Sequence, residues 1–123
     1  MPRMRITAGN ILVEAELNDG PTAQAIWEAL PITERGNRWG EEIYFSIPVQ
    51  QSLTEDARAA VAVGELGYWP PGNAFCIFFG RTPASVDEQP RAASPVNPIG
   101  QVVGDATVLT KVRDGEIVTL EEA

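Results

Sequence analysis

Only one stretch of this 123-residue chain carries the pattern of a full α-helix, and that scarcity limits the fold more than any other feature. In residues 22–30 (TAQAIWEAL), Ala23, Ile26, Trp27 and Leu30 fall at i, i+3, i+4 and i+7, on one helical face. Thr22 or Asp19 is placed to cap its start, and Pro31 marks its end. So short a helix is marginal alone in water, so it must pack onto a sheet.

The remaining chain reads as short strands between turn signals. Ile6 and the alternating run Ile11 to Leu17 flank Gly9-Asn10, the pattern of a hairpin. Trp39 to Val49 reads as a strand rich in aromatic and β-branched residues, and Thr54 to Arg58 as a single turn. Ala60 to Val63 and Glu65 to Trp69 are short β pieces before the turn Pro70-Pro71-Gly72-Asn73. Ala74 to Phe79 is uniformly apolar, as in a strand buried on both faces. Residues 83–98 hold four of the ten prolines among polar residues and predict a mobile surface loop. Ile99 to Val103, Thr107 to Val112 and Glu116 to Leu120 close the series, the last two expected to pair across Asp114-Gly115. Many short strands with one helix predict a single domain over residues 1–123, mainly β, and closure into a barrel would remove exposed strand edges.

Composition narrows function by exclusion. Nine Lys+Arg against 17 Asp+Glu leave a net charge of −8, which repels a nucleic-acid backbone. The chain has no histidine, so Ser-His-Asp and Cys-His catalysis and histidine metal sites are ruled out. The single cysteine, Cys76, precludes an internal disulfide or multi-thiolate centre, and its apolar strand context reads as a buried, inert thiol. No metal or other cofactor is therefore expected. The longest apolar run has six residues, far from the roughly 20 that span a bilayer, and a cytoplasmic protein is expected.

The signature Gly67-Tyr68-Trp69-Pro70-Pro71-Gly72 is followed by Cys76-Ile77-Phe78-Phe79-Gly80-Arg81-Thr82-Pro83. With Trp39-Gly40-Glu41-Glu42-Ile43-Tyr44-Phe45 upstream and Ser94-Pro95-Val96-Asn97 downstream, the chain resembles a prokaryotic family of small, mostly uncharacterised cyclophilin-like proteins. The likeness covers about residues 4 to 119. It implies a closed, mainly antiparallel barrel of about eight strands, with the helix at about 22–30 plugging one end. It also implies a comparison with the prolyl isomerases of that fold, in which an arginine three residues before a proline donates to the prolyl amide. Here that proline corresponds to Pro48 and the arginine position to Phe45, which cannot donate. The isomerases' pocket histidine has no counterpart, so no catalytic residue carries over and enzyme activity stays open.

The aromatic set provides the site candidates: Trp39, Phe45, Tyr68 and Trp69, with Tyr44 beside them. Trp69 precedes Pro70-Pro71 and so belongs near a strand end, where aromatic side chains can form a shallow apolar groove or simply cover the core. Arg38 and Arg81 flank the signature and are candidate donors to a carbonyl or carboxylate. Glu41-Glu42 are strand neighbours pointing to opposite faces, which excludes a catalytic dyad and reads as a solvated surface. The leading expectation is a peptide or small-ligand binding module without efficient isomerase chemistry. A prolyl isomerase with a rearranged site is the alternative from another class. A subunit using the YWPPG face against a protein partner or a second copy is the third. No nucleic-acid or membrane partner is expected.

Overall fold

The computed structural model describes residues 2–123. In chain order the elements are β1 (Arg3–Ala8), β2 (Ile11–Leu17), α1 (Pro21–Ala29), β3 (Ile32–Arg35), β4 (Asn37–Arg38) and β5 (Glu42–Ser46). There follow β6 (Arg58–Ala60), β7 (Glu65–Trp69), a 3-10 turn (Pro70–Gly72), β8 (Ala74–Phe78), β9 (Arg91–Val103), a 3-10 helix (Ala106–Lys111) and β10 (Ile117–Glu122). All pairings are antiparallel, in the order β3-β10-β1-β2-β9-β7-β8-β5-β4, with β6 added to β9. Among the described residues no ladder joins β3 to β4, so the sheet is not closed by hydrogen bonds. The closed barrel of about eight strands expected from the sequence is thus reduced to a mainly β protein: one ten-stranded antiparallel sheet with one principal helix.

One face of nearly every strand feeds the same core. Met4, Ile6, Val13, Leu17, Ile43, Phe45, Leu66, Tyr68, Phe75, Ile77, Ile99 and Leu120 belong to a single buried cluster, so the sheet wraps around it. Helix α1 adds Ala23 and Ile26, with Trp27 and Leu30 packed at its margin, as its periodicity requires. Its N-cap is Gly20 with Pro21 in the first turn, rather than Thr22 or Asp19; Thr22 is instead buried and receives a hydrogen bond from Asn97 Nδ2 at 3.1 Å. No helix of the described residues is long and apolar enough to cross a membrane.

Three local expectations are corrected. Residues 83–98 are not one loop, because β9 begins at Arg91 and runs through Pro95 and Pro98. Its ladders shift register around those prolines, between Arg58 and Ala60 on β6 and between Leu66 and Gly67 on β7, which is where a strand tolerates a missing N–H. Residues 107–112 form most of a 3-10 helix instead of a strand, started by Asp105, whose carboxylate accepts from the Thr107 N–H at 2.9 Å. Strand β10 therefore pairs with β1 and β3 rather than with its chain predecessor. Finally, Glu42 is buried with only 5% exposure, not on a solvated face.

Strand β8 has all five residues buried. Phe75 and Ile77 enter the main core, while Ala74, Cys76 and Phe78 join Val61, Ala92 and Val96 in a second cluster on the opposite face. The start of β9 covers that second face. It approaches so closely that a Cβ on Gly67 would lie 2.7 Å from Val96 Cγ2. Because valine is stiff about χ1, Gly67→Ala should destabilise the protein by about 1–3 kcal/mol. Urea unfolding followed by tryptophan fluorescence tests this; an unchanged midpoint would mean that β9 shifts freely over β7.

Candidate functional site

The second apolar face is incompletely covered, and the gap is a pocket of about 250 Å³. Its walls are Trp39, Tyr44 and Trp69, its floor includes Cys76, and Ala92 and Val96 close it from β9. Glu42 is the one carboxylate among the lining residues. Two broader depressions, one along Glu16 and Val103 and one between Pro31 and Glu121, are more open and hold no aromatic side chain.

Strand alternation builds this pocket. On β5, Ile43 and Phe45 face the core, while Glu42 and Tyr44 face the other way. The β5–β8 register sets Tyr44 opposite Cys76 and Glu42 opposite Phe78. The β7–β8 register sets Trp69 opposite Ala74, a residue small enough to leave room between the aromatic walls. Trp39 comes from a tight reversal in which its N–H donates to the Glu42 carbonyl at 2.9 Å. Gly40 turns that corner at φ +62°, where a Cβ would lie 2.9 Å from the Arg81 carbonyl oxygen. Trp69 is fixed through its indole Nε1–H, which donates to Ser94 Oγ at 2.7 Å. This bond ties the wall of the pocket to the covering segment of β9.

Of the residues expected at a site from sequence, Trp39 and Trp69 line this pocket, with Tyr44 beside them, whereas Phe45, Tyr68, Arg38 and Arg81 do not. Phe45 is in the main core, its ring stacked on Phe75 with centroids 5.5 Å apart. Tyr68 is also fully buried there, and its hydroxyl donates to the Val49 carbonyl at 2.6 Å. Burial pushes the Tyr68 phenol above its ordinary value, partly offset by the hydrogen bond it accepts from the Gln51 N–H. Arg38 spends its guanidinium inside the fold. It donates to the Thr110 and Val112 carbonyls at 3.1 and 2.6 Å, to the Gly40 carbonyl at 3.0 Å and to Glu41 at 3.1 Å, and it lies over the Phe79 ring. Arg81 is exposed and pairs with Glu88 at 3.4 Å.

The residue that sequence reasoning passed over is Glu42. Its Oε1 is buried with no hydrogen-bond partner among the described residues. Burial raises its carboxyl from 4.5 to about 7, an effect reduced by the neighbouring Cys76 thiol. The same burial, together with the Glu42 charge, holds the Cys76 thiol well above its usual range, so it is not a thiolate nucleophile. The other buried glutamate, Glu65, shows what a satisfied carboxylate looks like in this protein. It pairs bidentately with Arg58 and accepts from the Ala62 N–H at 2.9 Å. No group of His, Cys, Asp and Glu among the described residues is arranged to hold a metal ion.

The comparisons with known proteins follow this architecture closely. The family model described as Cyclophilin-like matches residues 2–121. The chain belongs to the cyclophilin-like family. The solution structure of a hypothetical protein from Archaeoglobus fulgidus is 43% identical, covers 99% of this chain and 95% of its own, and superposes with a TM-score of 0.84. The structure of McbB in complex with tryptophan shares the fold at 14% identity and a TM-score of 0.68, over 97% of this chain and 44% of McbB. No curated protein matches the chain. The cyclophilin-like resemblance read from the YWPPG and SPVN segments is thereby established over nearly the whole length.

Glu42 makes stability depend on pH. Its folded-state value lies above the unfolded one, so its contribution is fully present below about pH 4.5 and is lost as pH rises through about 7. The shift corresponds to about 3 kcal/mol lost by pH 8. Glu42→Gln should remove that loss. Urea midpoints at pH 5 and pH 8 test it: the native protein weakens over this interval while the variant stays level. Equal slopes in both would show that Glu42 ionises freely.

Proposed function

We propose that this cyclophilin-like protein is a binding module for a small ligand, or for one side chain of a peptide, received by the pocket between Trp39, Tyr44 and Trp69. The observation that carries the reading is a half-enclosed apolar pocket with aromatic walls and a single buried polar group. That combination is the usual make-up of a ligand site, where apolar walls supply affinity and a few polar atoms set orientation. Its volume of about 250 Å³ favours a ligand smaller than a typical drug, for which pockets begin near 300 Å³.

The same geometry supports binding over isomerase chemistry. Phe45, at the position matching the isomerases' arginine, packs in the core rather than beside the pocket, and the guanidinium of Arg38 is engaged by backbone carbonyls and Glu41. No lining residue is an arginine or lysine that would donate to a prolyl amide.

Amide and indole N–H NMR shifts recorded during titration with small aromatic molecules, tryptophan and Xaa-Pro peptides test the reading. Binding should move the indole signals of Trp39 and Trp69 and the amides of Glu42 and Val96, and Trp69→Ala should weaken it about tenfold or more. Catalytic amounts of protein should leave Xaa-Pro exchange unchanged. Accelerated exchange, or shifts confined to another surface, would overturn the proposal.

A further inference from the structure

Glu42 is the feature of this pocket that binding of an apolar molecule does not explain. A carboxyl whose Oε1 lies buried without a partner is costly, because the lost hydration is not replaced. Two arginines that carry suitable donors are engaged elsewhere in the fold. Arg38, one residue from Trp39, is committed to Gly40, Glu41, Thr110 and Val112. Arg58 is committed to Glu65 and the Ala60 carbonyl. The lining residues include no lysine or arginine, so the pocket presents an acceptor and no cation of its own.

We propose that the pocket takes a small organic cation, an N–H-bearing ammonium on a compact apolar body, with the ammonium against Glu42 and the body between Trp39 and Trp69. This rests on the ligand-binding reading and deepens it. An ammonium supplies both things the site lacks: a donor to the Glu42 carboxylate and a positive charge in a poorly hydrated space. The three aromatic walls are suited to the same guest, since indole and phenol faces attract cations through their quadrupoles. The net charge of −8 draws cations toward the protein and disfavours anionic ligands.

Ionisation links to occupancy in one direction. A cation favours the carboxylate, so binding releases a proton from Glu42 where that group is otherwise largely protonated, and affinity rises with pH through about 7. The other titratable groups lining the pocket are the Tyr44 phenol on β5 and the Cys76 thiol on β8, the latter held protonated by burial. Trp39, Trp69 and the β9 residues Ala92, Ala93 and Val96 carry no ionisable side chain, and the neighbouring Glu41 is paired with Arg38.

Benzylamine, benzyl alcohol and benzoate separate the outcomes, because they share a ring and differ in charge. Calorimetry at pH 6, 7 and 8 gives the affinities, and the indole N–H shifts of Trp39 and Trp69 report the place of binding. Benzylamine should bind about tenfold tighter than benzyl alcohol at pH 8, a preference of about 1.4 kcal/mol that shrinks at pH 6. Benzoate should bind weakest. In Glu42→Gln, both the preference and its pH dependence should vanish while benzyl alcohol binding persists. Equal binding of amine and alcohol at pH 8, or a preference unchanged in the variant, would overturn the cation assignment and leave the pocket standing as a neutral-ligand site. No shift at Trp39 or Trp69 with any of the three would overturn both. The native protein's own pH series decides the matter even if the variant folds poorly.

Discussion

Strand β8 is buried on both faces, and the rest of the molecule is arranged around that demand. A strand of five residues with no polar side chain has no face to offer water, so each side must be covered separately. The sheet wrapping around Phe75 and Ile77 covers the first. The second, carrying Ala74, Cys76 and Phe78, packs against Val61 and the start of β9, with Tyr44 and Trp69 at its margin. That cover reaches the sheet because Gly67 has no Cβ, and it is held by the Trp69–Ser94 hydrogen bond. The pocket is what this partial lid leaves open, so fold and candidate site have one cause.

The two buried glutamates lie in this same part of the molecule and differ in how they are served. Glu65 meets a guanidinium fork and a backbone N–H, the arrangement that makes a buried charge tolerable. Glu42 meets the Cys76 thiol and the aromatic walls, with an oxygen left over. A carboxyl kept in an apolar pocket at some cost to stability is a common mark of a functional position. It is also self-consistent here: Ala74 opposite Trp69 and Ala92 and Ala93 above leave room beside the acceptor, where larger side chains would have filled it.

Much of this architecture is legible in the sequence where periodicity speaks clearly. The hairpin at Gly9-Asn10, the single helix and the doubly buried run after Pro70-Pro71-Gly72-Asn73 follow from local pattern and turn chemistry. Closure of the sheet is not a local property, and no pattern in Ile32–Arg38 reveals that β3 and β4 stay unpaired with each other. Proline density at 83–98 misled because bulges absorb the missing N–H groups of Pro95 and Pro98 within β9. The site was half visible. Trp39 and Trp69 stand out as aromatics at strand ends, whereas Tyr68 and Phe45 share the same segments yet alternate into the core. Alternation was also the missed clue to Glu42. The rule that separates Glu41 from Glu42 requires one of them to share a face with Tyr44, and that face is covered only because β9 crosses it, a contact between residues more than fifty apart in the chain.

Alternation also bears on what the family resemblance conveys. In a strand, neighbouring positions belong to different environments, and a function tied to one face does not transfer to the other. The position corresponding to the isomerases' arginine, Phe45, is stacked on Phe75 inside the core, where an arginine would need partners the cluster does not supply. Glu42 and Tyr44, on the same strand, look out to the opposite side. The cyclophilin-like sheet can therefore be kept while the chemistry moves across its thickness. A neighbour at 14% identity shares the fold within a longer chain, and a shared fold does not by itself carry a shared site. In this protein the gap lies over β8, and Glu42, which lines it, carries the one buried side-chain polar atom left without a partner among the described residues.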